Sequence, residues 1–486
     1  MDAKDKVSAR TRLSFGYGCI GRDAAYTLVS TFIMTYLTLA VGLADWQLLA
    51  IGVVMVVARV WDAVNDPMMG TIIDNTNTKW GKFKPYILIG SLLNSIFIVL
   101  LFTNYGAVNE VLFVVIFAFT YILWGMTYTM NDISYWSMLP SLTLNQKERE
   151  KVSSLARIGA NLGLFIITAV VPMVTQMGNM QKMYNLLAII VACVFVACQI
   201  LVVCGVQEKK NAIVEEHQKT RLRDLFKVIT QNDQLMAIIV SILIFNIGYF
   251  ITTGFGMQFF YFDYGVYGGM EFTYFALTIG VAQIATLALY PVISKGRTRR
   301  QLFGIAIAMV VVGYLGFMGV GYVLPMNMIS LCIIGFILFS GQAIIQLLNY
   351  VLLADTVEYG QWKLGRRNES ITFSLNPFVT KLAGAVQAGV FSITMVVSGL
   401  NAYSNQISAM EQSGMAKEEV LTQANALVAT IPAASTLVMR LSMIIVPLLL
   451  ILCSYVIYLK KYKIDDKMYA QIVSDLAQRA EEKAKA

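Results

Sequence analysis

The sequence predicts an all-α membrane protein of twelve transmembrane helices in two six-helix bundles, with both termini cytoplasmic. Three observations carry that expectation. Of 486 residues, 57% are hydrophobic and 14% charged, with a mean hydropathy of +0.65, whereas soluble domains carry roughly 25% charged residues. Twelve runs have the size of a spanning helix, which needs about 20 mainly apolar residues. Basic residues gather in alternate breaks between the runs, as they do in cytoplasmic loops.

The predicted spans are 12–41, 47–73, 84–104, 109–140, 151–175, 183–206, 233–261, 268–294, 300–322, 327–356, 370–399 and 428–459. Of the 37 lysines and arginines, thirty fall at the N-terminus, in the breaks after spans 2, 4, 6, 8 and 10, and in the C-terminal tail. Only Lys182 and Lys417 fall on the opposite side. Both termini are therefore expected in the cytoplasm. The longest break, 207–232, is charged (GVQEKKNAIVEEHQKTRLRD) and divides the spans six and six. The expected organisation is an N-terminal bundle (1–206), a cytoplasmic linker (207–232), a C-terminal bundle (233–459) and a cytoplasmic tail (460–486). A hydrophilic linker between two such halves is the layout of major-facilitator transporters, whose sites lie near the midplane. The segment Gly70 to Lys84, with Asp74 at a helix end and lysines around a turn, matches the loop signature of that superfamily. The polar start runs directly into a full span, so no cleaved leader is expected. The tail alternates charge and reads as a short cytoplasmic helix.

Composition also excludes function classes. Cys19, Cys193, Cys198, Cys204, Cys332 and Cys453 all lie in apolar runs without a CxxC pair; they read as small core residues rather than a disulfide framework. With His217 the one histidine, most zinc sites and Ser-His-Asp triads lack a residue they require. A membrane-embedded enzyme is thus disfavoured, and no cofactor is expected. The net charge of +8 reflects topology, so no nucleic-acid partner is implied. The lipid bilayer is the partner that the composition does imply, in the cell membrane, for a chain expected to work as a monomer.

Ionisable residues inside apolar spans carry the functional signal, because a charge at mid-bilayer costs at least about 2.5–3.5 kcal/mol. Span 2 contains Arg59, Asp62, Asn65 and Asp66. Asp62 and Asp66 are four apart and share a helix face. Such neighbours stay ionised together in low dielectric only with a cation between them; otherwise one takes a proton. Arg59 offsets part of the charge, and Asn65 adds a neutral oxygen of the kind sodium accepts. The structural alternative pairs Arg59 with Asp62 and makes Asp66 a helix cap before Pro67. On span 4, Tyr128, Asp132 and Trp136 recur at i, i+4 and i+8, setting a phenol, a carboxylate and an indole on one face. A carboxylate accepts two sugar hydroxyls while a flat aromatic covers the apolar face of a pyranose. Arg22 and Asp23 on span 1 and Arg157 on span 5 add donors and acceptors, with Asp23 and Arg157 a candidate pair for vicinal hydroxyls. Lys381 on span 11 is the main intramembrane cation of the C-terminal half. It is expected to face the acidic cluster across a central cavity and to couple the halves. Asp355, Glu358 and Glu369, near the cytoplasmic ends of spans 10 and 11, read as a gate or as a static loop network.

The stretches WDAVNDPMMGTIIDNTNTKWGKFKP, WGMTYTMNDISYWSMLPSLTLNQKEREK with Arg157, FKVITQNDQLM, and DTVEYGQWKLGRRNESITFS with Lys381 resemble the glycoside-pentoside-hexuronide cation symporters. The resemblance spans essentially the whole chain and is strongest to that family's lactose and melibiose carriers. It implies that Asp62, Asn65, Asp66 and Thr129 form the cation site, for sodium or a proton. It also implies that Arg22, Asp23, Asp132, Trp136 and Arg157 contact the sugar, and that Lys381 couples the two. The chain departs from the melibiose carrier at Gln346, where that carrier has a tryptophan, and at Pro377, where it has a sugar-facing threonine. Lactose carriers of the family often bear a C-terminal phosphotransferase-type domain; regulation through one is not expected here.

The expected function is cation-coupled symport of a galactoside such as lactose, melibiose or raffinose, with a proton or sodium, by alternating access. The alternatives are uptake of another solute, such as a glucuronide, pentoside or lysolipid, and sugar-for-sugar exchange. From a different class, a proton-driven drug exporter is disfavoured by the charged residues on spans 1, 4, 5 and 11.

Overall fold

The computed structural model describes residues 7–76, 78–105, 109–143, 146–207, 231–365 and 369–485. In chain order these form α1 (Ala9–Thr35), extended by a π-helical turn (Tyr36–Val41), α2 (Asp45–Asp74), α3 (Lys84–Leu101), α4 (Glu110–Leu142), α5 (Gln146–Thr175) and α6 (Met180–Gly205). The expected linker lies, apart from its ends, outside the described residues. Then follow α7 (Asp233–Gly254), which leads into a second π-helical turn (Phe259–Asp263), α8 (Glu271–Ile293), α9 (Arg299–Gly319), α10 (Met328–Leu364) and α11 (Glu369–Val397). Two short helices, α12 (Leu400–Gln412) and α13 (Lys417–Val428), precede a composite last span made of α14 (Ala433–Arg440), a π-helical turn (Leu441–Ile445) and α15 (Val446–Lys461). A tail helix, α16 (Asp466–Lys485), ends the described chain.

Among the described residues, eleven helices are long and apolar enough to cross a membrane, or twelve when the bent pair Asp45–Asp62 and Asn65–Ile73 counts as one span. Their ends are marked in the sequence. Side chains of Asn109, Asn179, Asn232, Thr298 and Asn327 accept a hydrogen bond from a first-turn N–H, satisfying donors that the helix itself leaves open. At the far end of α10, Gly365 adopts φ +71°, a left-handed conformation that glycine enters without Cβ strain.

The chain divides into two compact units. One comprises 1–218, 265–273 and 395–432; the other comprises 219–264, 274–394 and 433–486. In the first, α1 packs against α5 and α6 through glycines. A Cβ at Gly159 would meet the Gly16 carbonyl oxygen at 2.3 Å, and one at Gly163 would meet that of Ile20 at 2.3 Å. Gly21 also lies close to α6, where a Cβ would come 2.9 Å from the Phe195 backbone. Small residues four apart allow helix backbones to approach where lipid supplies no hydrophobic drive. Polar side chains reinforce the contact: Gln199 Nε2 donates to the Gly18 carbonyl at 2.8 Å, and Asn131 Nδ2 to Gln199 Oε1 at 3.2 Å. This packing fixes the part of α1 that carries Arg22 and Asp23.

The α12–α13 excursion also belongs to the first unit, although it connects spans of the second. Its amides cap the end of the first π-helical turn. Asn405 donates to Leu43 O at 2.9 Å and Gln412 to Val41 O at 2.9 Å. Buried Glu411 accepts from the Lys417 ammonium (2.6 Å), the Tyr267 hydroxyl (2.9 Å) and the Met180 N–H (3.1 Å). All three donors come from different segments, so one carboxylate ties α6, the 265–273 loop and α13 together.

Of the cysteines, Cys19 is buried but Cys193, Cys204 and Cys453 are exposed. The core reading thus fails for those three. An apolar run in a membrane helix does not say which side meets lipid and which meets protein.

The α1–α5 contact predicts a stability effect. Gly163→Leu is expected to lower thermal stability in detergent by about 1–3 kcal/mol, the usual range for overpacking a tight interface, as read from the melting curve of purified protein. A melting point equal to wild type contradicts the assigned contact.

Candidate functional site

Arg22 is the centre of the first polar cluster. Its side chain is 3% exposed, and Nε and Nη2 donate to Asp23 Oδ2 at 3.1 and 2.8 Å. Nη1 lies 3.1 Å from Asp132 Oδ1 on α4 but makes no aligned hydrogen bond. The guanidinium stacks over Tyr135 at 4.7 Å and Trp136 at 5.0 Å, where the negative ring faces attract it. Asp23 and Asp132 remain 25% and 34% exposed. An ionised carboxylate has about four lone-pair sites, so two half-open acceptors flank one locked cation. Trp136 is half-buried beside them. Tyr128 packs inward on Tyr26, ring centroids 4.8 Å apart.

The second cluster lies on α2 and α4. Arg59 Nη1 donates to Asp62 Oδ2 at 3.0 Å and Nη2 to the Tyr121 hydroxyl at 3.0 Å, with all three groups buried. The guanidinium also sits over the Trp124 ring at 5.5 Å. Asp66 accepts from the Thr129 hydroxyl at 2.9 Å. Asn65 is buried and its Nδ2 has no hydrogen-bond partner. The helix bends by 41° between Asp62 and Asn65, where Pro67 removes the N–H that would bond the carbonyl of Ala63. It then continues to Asp74, so Asp66 is not a terminal cap. The Arg59–Asp62 pair of the structural reading is present, and the oxygens of Asp66, Thr129 and Asn65 remain beside it. That set of hard, partly anionic oxygens suits a proton or a monovalent cation.

A family model described as MFS/sugar transport protein matches residues 14–449. The chain belongs to that family. It is 29% identical to the lactose permease of Lactobacillus delbrueckii subsp. bulgaricus over 96% of this chain and 72% of that protein. To the raffinose carrier protein of Pediococcus pentosaceus it is 28% identical over 96% of this chain and 71% of that protein. Among solved structures, a bacterial homolog of the human lysosomal transporter Spinster superposes with a TM-score of 0.66 at 10% identity, covering 95% of this chain and 97% of that one. That likeness establishes a major-facilitator fold. The chain is therefore a multi-pass sugar transport protein of the cell membrane, and the proteins it matches are transporters rather than enzymes.

In this sugar transport protein the remaining sequence-predicted residues are distributed as follows. Arg157 stands on an exposed face of α5, and the cation beside Asp23 is Arg22 instead. Periodicity could not anticipate that, because adjacent residues on a helix do not share a face; the guanidinium reaches round the helix to its neighbour. Lys381 is half-buried on α11, next to Thr380, and Gln346 is half-buried on α10. Asp355 is buried and pairs with Arg299 of α9, while the Tyr462 hydroxyl reaches the same oxygen at 3.4 Å. Glu358 is half-buried nearby. The side chain of Glu369 lies outside the described residues.

Several partners escaped the sequence reading. Arg299 counted as a topology charge, yet it meets Asp355. Asp233 at the start of α7 takes Lys363 of α10 as an ion pair and the Tyr359 hydroxyl at 3.0 Å. Arg440 carried no assigned role; it pairs with Asp263 and donates to Val320 O at 2.6 Å, where two π-helical turns meet. Arg299, Asp233 and Asp263 are charges close to predicted span ends, whereas Arg440 lies inside the predicted span 428–459.

The two carboxylates of α2 should separate in a stability measurement. Asp62→Asn strips the buried Arg59 of its ionic partner and is expected to cost about 3–5 kcal/mol, as a large fall in melting temperature. Asp66→Asn keeps a hydroxyl partner in Thr129 and should shift melting far less. Equal shifts contradict the assigned pairing.

Proposed function

We propose that this protein is a cation-coupled galactoside symporter, taking up a sugar such as lactose, melibiose or raffinose with one proton or sodium ion by alternating access. Residues 1–206 and 233–459 act as two six-helix bundles joined by the linker 207–232, with the termini and the tail 460–486 in the cytoplasm. The observation that carries the sugar reading is the Arg22 cluster: a buried cation clamped on aromatic faces, with Asp23 and Asp132 half-open at its sides. Asp23 and Asp132 accept vicinal hydroxyls, Trp136 stacks on the pyranose, Arg157 adds donors, and Gln346 is a further sugar-contacting residue. A neutral ligand leaves the charge balance of this cluster unchanged.

The second cluster supports coupling to a single cation. Arg59, Asp62 and Asp66 have a formal sum of −1, so one proton or one sodium ion returns them to neutrality. Asp66, Asn65 and Thr129 hold that ion together with Asp62. Its arrival relieves repulsion on α2, straightens the relation of α2 to α4, and thereby presents Asp132 and Trp136 to the sugar. Lys381 couples cation to sugar, and the Asp355, Glu358 and Glu369 region gates the cytoplasmic side. One charge crossing 100 mV is worth about 2.3 kcal/mol, which sustains roughly a 50-fold sugar gradient.

Uptake of a labelled galactoside panel into vesicles under imposed proton or sodium gradients tests this reading. Wild type is expected to accumulate at least one galactoside under one of the two gradients. Asp66→Asn should lose accumulation while retaining sugar-for-sugar counterflow. Absence of galactoside accumulation under both gradients overturns the substrate, and uphill accumulation by Asp66→Asn overturns the cation site.

A further inference from the structure

Within the first unit, the Arg22–Asp132 pair joins α1 to α4, yet the backbones of these two helices hardly approach each other: α1 packs on α5 and α6, and α4 on α3 and α2. Side chains span the gap. Tyr135 of α4 reaches the Phe15 carbonyl, two turns before Arg22, and Gln199 of α6 ties both helices closer to the cluster. Its Nε2 donates to the Gly18 carbonyl of α1 at 2.8 Å, and its Oε1 accepts from Asn131 Nδ2 of α4 at 3.2 Å. Gly18 stands one turn before Arg22, and its carbonyl is the one that the helical ladder assigns to the Arg22 N–H. Asn131 immediately precedes Asp132. We propose that Gln199 is a positioning residue for sugar binding, acting through Gly18 and Asn131 to set the separation of Asp23 on α1 from Asp132 on α4. The proposal rests on the galactoside reading above, in which those two carboxylates accept the sugar hydroxyls.

The surroundings hold this bridge in place. Gln199 and Asn131 are both 0% exposed. A Cβ at Gly18 would meet Val202 Cγ2 of α6 at 2.3 Å, and a Cβ at Gly90 of α3 would meet the Asn131 backbone nitrogen at 2.9 Å. Thus α6 and α3 press on α1 and α4 at the two residues that the amide ties. Asn131 Nδ2 also donates to the Ile87 carbonyl of α3 at 2.8 Å, so both of its protons are engaged. A primary amide carries donors and an acceptor without a charge, which lets Gln199 donate to one helix and accept from another in a span that hydrocarbon surrounds. Polar glue between helices is the plainer role for such a residue. Ser241 and Ser454 supply it between α7 and α15 of the second unit, where the hydroxyls are 2.9 Å apart and both residues are buried. Neither serine adjoins an ionisable cluster. The two groups that Gln199 ties lie beside the carriers of the sugar-accepting carboxylates, so a shift of α1 against α4 lengthens the hydrogen bonds on both sides of the ring together. Gln199 was not singled out from the sequence, because one amide in an apolar run does not disclose which helices it bridges.

The test uses the full-length protein with lactose, melibiose and raffinose, following the sugar that wild type binds most tightly in Gln199→Met, Asn131→Ala and Ser241→Ala. Gln199→Met keeps the length of the side chain and removes both hydrogen bonds. It is expected to weaken equilibrium sugar binding about tenfold, the worth of one hydrogen bond between a hydroxyl and a charged group. In counterflow the same variant should raise KM and retain kcat, the pattern of lost ground-state binding. Asn131→Ala removes one of the two bonds, so its affinity should fall between those of wild type and Gln199→Met; if Gln199→Met does not purify as folded protein, weaker binding in Asn131→Ala than in wild type decides the matter alone. Ser241→Ala should lower the melting temperature and leave sugar affinity unchanged. Wild-type affinity in both amide variants, a fall in kcat at unchanged KM, or equal weakening in Ser241→Ala overturns the positioning role while leaving galactoside transport intact. Failure of wild type to bind any of the three sugars overturns the galactoside reading itself.

Discussion

Two guanidiniums buried within a bundle of lipid-facing helices set the constraint on which the first unit depends. Neither Arg22 nor Arg59 can shed its proton, and the hydrocarbon around the helices offers no water to solvate them. Each therefore requires carboxylates and ring faces at fixed positions. For Arg22 these are Asp23, Asp132, Tyr135 and Trp136; for Arg59 they are Asp62, Tyr121 and Trp124. Because α4 supplies partners to both guanidiniums, it joins the two clusters structurally. Thr129 and Asp132 are three residues apart on that helix, one facing Asp66 and the other Arg22.

The glycines follow from the same constraint. Arg22 reaches Asp132 only if α1 sits close to its neighbours, and the near-contacts at Gly21, Gly159 and Gly163 permit that approach. The kink at Pro67 serves the other cluster. It bends α2 between Asp62 and Asn65, so that Asp62 turns to Arg59 while Asp66 turns to Thr129.

Most spans were legible because hydrophobic length and basic loops are properties of composition, readable without knowing who packs against whom. The observed α2, α4, α6 and α8 begin and end within a few residues of the predicted runs. Less legible was the stretch between spans 11 and 12, where α12 and α13 fold onto the first unit; their amphipathic, moderately polar sequence has neither the length of a span nor the charge of a loop. The ionisable residues themselves stood out against the apolar background. Their pairings did not, since Arg22 with Asp132, Arg299 with Asp355 and Arg440 with Asp263 join helices far apart in the chain. A charge inside a span announces that it needs a partner without naming it.

The central claim is that a cation at Asp66 and a sugar at the Arg22 cluster bind with one shared coupling energy. Reciprocal binding measurements on the purified protein test it most directly: sugar affinity with and without the coupling cation, and cation affinity with and without sugar, for wild type and Asp66→Asn. Linkage requires equal factors in the two directions. Wild type is expected to show the same tightening both ways, on the order of 5- to 150-fold, and Asp66→Asn should show a factor near one with sugar binding retained. Unequal factors in wild type, or undiminished coupling in Asp66→Asn, would contradict the account.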